Sequence, residues 1–302
     1  MKPQLSLGPV FFNWDPETWR DFYFRIADEA PIDTVYIGEI VCSKRSPFLL
    51  PYIEPVAHRL RQAGKCPVIS TLALIGSEHE AASMRELVAQ SDLCVEINDV
   101  GLIPAVSGWE HHLGPFINIY NEATLAYLAA RGARLACLPP ELPAASLMSL
   151  AADAPIALEV FAFGRLPLAI SARCFHARAQ HLHKDGCRFV CGRDPNGLAI
   201  TTLWKEPFLA INGTQTLSYT CCNLIGDLER LSGAGIRHFR LSPLAIDMVA
   251  VARVFRDALE ARLDPSEAVT RISALVGDFV FSNGFFRGKE GRSFEPPGVD
   301  VA

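Results

Sequence analysis

Three cysteines share one polar stretch, SARCFHARAQHLHKDGCRFVCGRD at 171–194, where Cys174, Cys187 and Cys191 stand among His176, His181 and His183. Thiolates are soft ligands and nucleophiles, so such a trio admits a disulfide framework, a zinc site, an iron–sulfur site or a catalytic thiol with neighbours. Cys187 and Cys191 are four residues apart, a spacing that on a helical turn puts both sulfurs on one side. Cys174 lies 13 residues earlier and can return to them across the loop. The spacing lacks the paired C-x-x-C knuckles of a zinc ribbon, yet the three cysteines with one of the three histidines would satisfy a tetrahedral zinc. A cubane cluster prefers four thiolates, so that reading needs a cysteine from elsewhere.

Compartment and charge narrow the choice. The N-terminus, MKPQLSLGPVFFNWDP, carries a single Lys, a brief apolar stretch and no small-residue cleavage site, so it reads as a first strand and not as a signal peptide. The longest apolar region, IALEVFAFGRLPLAI, is interrupted by Glu159 and Arg165 and is too short and too charged to cross a bilayer. No transmembrane segment and a cytoplasmic location are expected. Thiols stay reduced there, and clustered cysteines are metal-binding or catalytic more often than bridged. The odd total of nine cysteines also fits a disulfide framework poorly. Net charge is -5, with no run of five or six Lys or Arg, which speaks against a nucleic-acid partner.

The elements that must position these residues follow from periodicity. Short β-branched runs recur, each followed by a helical pattern: LSLGPV (5–10), TVYIGEI (34–40), PVISTL (67–72), LCVEI (93–97), PFINIY (115–120), RLACL (134–138), IALEVFAF (156–163) and IRHFRLS (236–242). Repeated β-α units of this number predict a TIM-barrel-like (β/α)8 domain over 1–290, with a doubly wound open sheet as the alternative. Helix starts are expected at Asp15-Pro16, at Ser77 with Glu80, and at Asn121, whose helix Gly132 can close. Two terminal helices follow the eighth run. The interval 164–235 is a long insertion after the seventh strand, holding the cysteine loop, strands at LAITTLW and PFLAI, and a connecting helix through NLIGDLERL. Residues 291–302 are expected to form a mobile tail.

Barrel geometry ranks the other cysteines, because loops after strands open on the face where sites are built. Cys66 precedes a strand and falls on the wrong face, and Cys94 sits mid-strand as a small hydrophobe. Cys221 and Cys222 are expected to begin the helix after the insertion, where neighbours point in different directions. Cys137 and Cys42 both open on the right face. Cys42 is preferred because Ser43, Lys44 and Arg45 follow it, and nearby cations stabilise thiolates. Glu39, Arg173 and His176 are further polar residues near the predicted mouth, able to bind a carboxylated donor or hydrogen-bond the cysteines. Each singly also fits a cap, a surface ion pair or loop polarity. His111 and His112 are placed in a loop at the opposite end.

EVFAFGRLPLAISARC, residues 159–174, resembles the signature of the collagenase-like (U32-type) peptidase family, a Glu-x-Phe-x-x-Gly stretch followed by a Ser-Gly-Arg-Cys-like element. Glu159, Phe161, Gly164, Ser171, Arg173 and Cys174 occupy it. In many relatives, and as a cluster ligand in the UbiU branch, a cysteine stands where this chain has Pro167. SARC, KDGCRFVC and GEIVCSKR are instead similar to the partner branch of that family in ubiquinone biosynthesis. That resemblance implies one 4Fe-4S cluster with ligands Cys42, Cys174, Cys187 and Cys191. It also implies a heterodimer with a UbiU-like protein, a lipid-carrier accessory protein, and oxygen-independent hydroxylation of an aromatic ubiquinone precursor, for which related members use prephenate as donor. Other readings within the family are an RNA-modifying (tRNA) hydroxylase or a peptidase, and outside it a zinc-stabilised scaffold. The chain has no recognisable nucleophile motif and no H-E-x-x-H pattern, so peptidase activity is not expected.

Overall fold

The computed structural model describes residues 2–297. Strands β1 (Gln4–Leu7), β2 (Thr34–Ile37), β3 (Cys66–Ser70), β4 (Cys94–Ile97), β5 (His111–Leu113), β6 (Ala133–Cys137) and β7 (Ala157–Ile170) pair in parallel in chain order. After the insertion strands β8 (Leu198–Thr201), β9 (Pro207–Asn212) and β10 (Gln215–Asn223), strand β11 (His238–Leu241) pairs in parallel with both β1 and β7. The sheet is thereby closed into an 8-strand parallel barrel with surrounding helices, a TIM-barrel (β/α)8 architecture, as the recurring runs predicted.

The helices are α1 (Pro16–Glu29), α2 (Ser46–Gln62), α3 (Glu78–Gln90), α4 (Ile103–Val106), α5 (Glu122–Ala129), α6 (Ala144–Ala152), α7 (Phe175–Ala179), α8 (Leu228–Gly233), α9 (Met248–Leu259) and α10 (Pro265–Val276). Their starts follow local chemistry. The Asp15 side chain accepts from the backbone N–H groups of Glu17 and Thr18 ahead of Pro16. Ser77 accepts from Glu80 N–H and Asn121 from Thr124 N–H. None of the helices among the described residues is long and apolar enough to cross a membrane.

The expected fifth strand is displaced. PFINIY is irregular, and β5 is the preceding His111–Leu113. Gly114 N–H gives the last pairing bond, to Ile97 O, and a Cβ at Gly114 would lie 1.9 Å from Asn98 Oδ1. Pro115 has no N–H for a ladder, and the chain then turns with Ile117 N–H on Gly114 O. Ile117 and Ile119 are nevertheless buried, which is why the segment shows a strand's alternation. His111 and His112 therefore lie in a barrel strand and not in a loop.

The insertion departs from expectation in a second way. β7 runs past the barrel to Ile170 and there pairs antiparallel with β10, which pairs with β9, and β9 with β8. Cys221 and Cys222 belong to β10 and are buried, with Cys221 opposite Arg165 on β7, so they do not start a helix. The short strand β12 (Phe281–Ser282) lies parallel to β10 at the same two cysteines. Of the expected tail, residues 298–302 lie outside the described residues. Phe294 packs on Phe281, and Asn283 bonds the backbone of Ser293 and Glu295.

Unlike a purely apolar barrel, the interior carries charge. Arg240 Nη2 lies 2.7 Å from Glu96 Oε1 and 2.6 Å from Glu159 Oε2, with all three side chains out of contact with solvent. Ser70 donates to Glu96 Oε2 at 2.6 Å, Ser6 donates to Glu159 Oε1, and the guanidinium sits 4.0 Å over the Tyr36 ring. Tyr36 Oη is 3.0 Å from His112 Nδ1.

Candidate metal centre at the barrel mouth

The four sequence-predicted cysteines are brought to one place. Cys42, Cys174, Cys187 and Cys191 line a single cavity with Lys44, Arg45, Lys184 and Val190. Cys42 comes from the loop after β2, one residue before the 3-10 turn Ser43–Arg45 that leads into α2. Cys174 caps α7, its sulfur 3.4 Å from Ala177 N–H. Cys191 is buried within the 3-10 turn Val190–Arg193, which Cys187 precedes, and Val190 N–H returns to Cys187 O. Arg188 (φ +48°) and Phe189 (φ +52°) both adopt left-handed backbone between the two cysteines, a conformation that costs non-glycine residues about 1–2 kcal/mol each.

Local electrostatics come from Glu39 and Arg45. Glu39 Oε1 accepts from Val41 N–H (2.8 Å) and Cys42 N–H (2.9 Å), which fixes the Cys42 backbone. Arg45, 2 % exposed, donates to Phe11 O and to Asn212 Oδ1, both at 3.1 Å, and its Nη1 is 3.8 Å from Glu39 Oε1. Asn212 Nδ2 in turn bonds Phe11 O, and Thr214 Oγ1 donates to Val41 O, so the β9–β10 turn is tied to the β1 and β2 loops. Burial pushes the Cys42 thiol up, opposed by Arg45 and reinforced by Glu39; burial likewise raises Cys174. Arg45 is held above its ordinary value because Glu39 and the Cys191 and Cys42 sulfurs outweigh its desolvation.

The cation layer closes the loop. Lys44 Nζ donates to Lys184 O and pairs with Asp185, both at 2.8 Å, and Lys184 Nζ bonds Ala172 O. These contacts join the loops of Cys42, Cys174 and Cys187.

The other candidates fall elsewhere. His176 is buried with Nε2 2.9 Å from Asp194 Oδ2, and it does not line the thiol cavity. His181, His183 and Arg173 line an open basin that shares Cys174 and Lys184 with the thiol cavity, and none of the three histidines lines the cavity itself. Cys137 lies inside the barrel, where burial raises its thiol beside Arg240 and Glu159. Cys66 is exposed, and Cys94 is half-buried at the start of β4. The sequence reading missed the groove next to the cavity, lined by Phe12, Trp14, Trp19, Phe48 and Phe189, because its walls come from three distant segments.

The donor set can be tested against zinc and cluster. Tetrahedral zinc at about 2.3 Å per Zn–S bond requires sulfurs about 3.8 Å apart. Among the described residues no three His, Cys, Asp or Glu side chains are placed to hold a metal ion of any kind. A cubane spreads its four cysteines over a wider tetrahedron, and a lining of four thiols, two lysines and an arginine without a carboxylate suits its negative charge. The cavity measures about 10 Å3, too small for a cubane in this conformation. By donor type the four thiols suit a cluster, while their present spacing holds neither a cluster nor an ion.

The profile of peptidase family U32 matches residues 19–294, and the chain belongs to that family. Among solved structures, the native N-acetylneuraminate lyase (sialic acid aldolase) from Aliivibrio salmonicida is similar at 12% identity. That match covers 87% of this chain and 75% of the other, with a TM-score of 0.39.

Proposed function

We propose that this chain is a UbiV-type iron–sulfur subunit whose Cys42, Cys174, Cys187 and Cys191 hold one 4Fe-4S cluster. It acts with a UbiU-like partner and a lipid-carrier accessory protein in the oxygen-independent hydroxylation step of ubiquinone biosynthesis, in the cytoplasm. One observation carries the reading: a cysteine from the loop after β2 lines the same cavity as three cysteines 132 to 149 residues downstream. When bound, such a cluster supplies one-electron steps to a two-electron reaction. The chain's own residues hold the site ready. Arg45 neutralises thiolate charge, Glu39 fixes the Cys42 backbone, and Val190 and Phe189 limit water at the cavity. The absence of any histidine from the cavity lining weighs against the Cys3His zinc scaffold.

Iron, acid-labile sulfide and zinc assays on anaerobically purified protein test it. About four iron and four sulfide per chain are expected for one cubane cluster. One tightly held zinc without sulfide overturns the reading. Cys42→Ala is expected to strip the cluster and Cys137→Ala to leave it. The reverse result would assign the fourth ligand to the wrong residue.

A further inference from the structure

The aromatic groove beside the thiol cavity has a volume of about 310 Å3, within the range of small-molecule sites. Phe12, Trp14, Trp19, Phe48 and Phe189 line it, and Arg45 forms part of the wall it shares with the thiol cavity. Phe48 meets Phe189 edge to face at 5.1 Å, which leaves aromatic surface from α2 and from the cysteine loop facing the segment after β1. Two buried donors in this lining have no acceptor among the described residues: Trp19 Nε1 and Arg45 Nε. A buried unpaired N–H carries a desolvation cost of about 1–3 kcal/mol, which an acceptor brought into the groove would relieve. The lining also holds two carboxylates, but both are engaged. Asp15 caps α1, and Glu39 accepts two backbone N–H groups next to Arg45.

We infer that this groove binds a flat aromatic ring bearing an oxygen acceptor, the ring between the aromatic walls and the oxygen accepting from Trp19 Nε1 or Arg45 Nε. Offset or edge-to-face stacking supplies the ring preference, and the two orphan donors supply the polar one. The site is formed by the chain alone and does not rest on the cluster, so it is tested on metal-free protein as well as on protein purified anaerobically.

Calorimetric titration with four probes reads both requirements. Benzoate and acetophenone carry a ring and an acceptor, toluene the ring alone, and cyclohexanecarboxylate the acceptor alone. Benzoate and acetophenone are expected to bind more tightly than either control. Trp19→Phe keeps the ring and removes one donor, and Arg45→Gln removes the other. Each is expected to weaken benzoate by about five-fold, the worth of one hydrogen bond, while leaving toluene unchanged. Because Arg45 is also a packing residue, circular dichroism of Arg45→Gln accompanies its titration, and Trp19→Phe carries the test if that variant unfolds. Toluene or cyclohexanecarboxylate binding as tightly as benzoate overturns the inference. So does benzoate affinity unmoved in every folded variant, or no saturable heat with any probe.

Discussion

Two arginines are buried in this barrel, and their partners differ. Arg240 meets two carboxylates at 2.6 and 2.7 Å and lies over Tyr36, so its charge is compensated within the chain. Arg45 has one carboxylate at 3.8 Å, a carbonyl, an amide oxygen and sulfurs. A buried cation that finds its countercharge at home is architecture. One whose nearest carboxylate stands 3.8 Å away, with thiols beside it, keeps charge for another partner. The contrast separates the barrel interior from the barrel mouth more sharply than burial does, since both side chains are almost wholly enclosed.

Breaking the interior network has the largest expected effect. Arg240→Met strands Glu96 and Glu159 without their cation, and losing one partner of a buried pair costs about 3–5 kcal/mol. Arg45→Met removes hydrogen bonds to the neutral acceptors Phe11 O and Asn212 Oδ1 and leaves Glu39 its bonds to Val41 and Cys42 N–H, so its loss should be smaller. Urea unfolding of the metal-free proteins measures both. Equal losses would mean that Arg45 is as much a structural cation as Arg240. Adding Glu96→Gln and Glu159→Gln to Arg240→Met is expected to recover part of the stability, because the orphaned charges are then gone.

The same contrast explains what could be read in the sequence. Helix starts at Asp15, Ser77 and Asn121 were legible because a cap is a local event within four residues. Seven of the eight barrel runs were legible from apolar content. β5 was not, because in HHL the inward residue is a histidine that serves the interior charge network and the strand spans only three residues. Glu96, Glu159 and Arg240 look like the outward half of an alternating strand. In a closed barrel that half faces the axis, and only three-dimensional closure shows that their charges meet. That Cys42 shares a cavity with Cys174, Cys187 and Cys191 followed from the rule that loops after strands share a face, which left Cys137 eligible too, and from the basic neighbours of Cys42. The aromatic groove was not legible, since residues 12–19, 48 and 189 carry no common motif.

Acid sharpens the interior side of the comparison. His112 faces Tyr36, with Glu159, Arg240 and His238 nearby, and burial lowers its pKa from 6.5 to about 4, Glu159 opposing the shift and Arg240 adding to it. Above pH 6.5 the imidazole is neutral whether the chain is folded or not, and this group contributes no pH dependence. Between pH 6.5 and 4 the unfolded chain takes up a proton that the folded chain refuses, so stability falls as pH falls. At about 1.4 kcal/mol per unit the loss approaches about 3 kcal/mol and levels off below pH 4. Denaturant unfolding of His112→Gln against the parent protein should show that slope removed. An identical pH profile for the two proteins would mean that the proton goes elsewhere.

The smallest expected effect on stability is the most specific test of the mouth. Gly213 joins β9 to β10 at φ +65°, and a Cβ there would lie 2.7 Å from Arg45 Nη2. Gly64 has a similar left-handed φ of +75°, but a Cβ there would meet nothing within 4 Å. Each Gly→Ala change should therefore cost about 1–2 kcal/mol from backbone conformation. Only Gly213→Ala should also push the guanidinium away from Asn212 and from the sulfurs it neighbours. Thermal unfolding is expected to rank the two variants close together, while iron content after anaerobic purification should drop for Gly213→Ala and stay at the parent level for Gly64→Ala. Equal iron in both would show that the proposed cluster does not depend on Arg45, and the difference between the two buried arginines would then concern the groove alone.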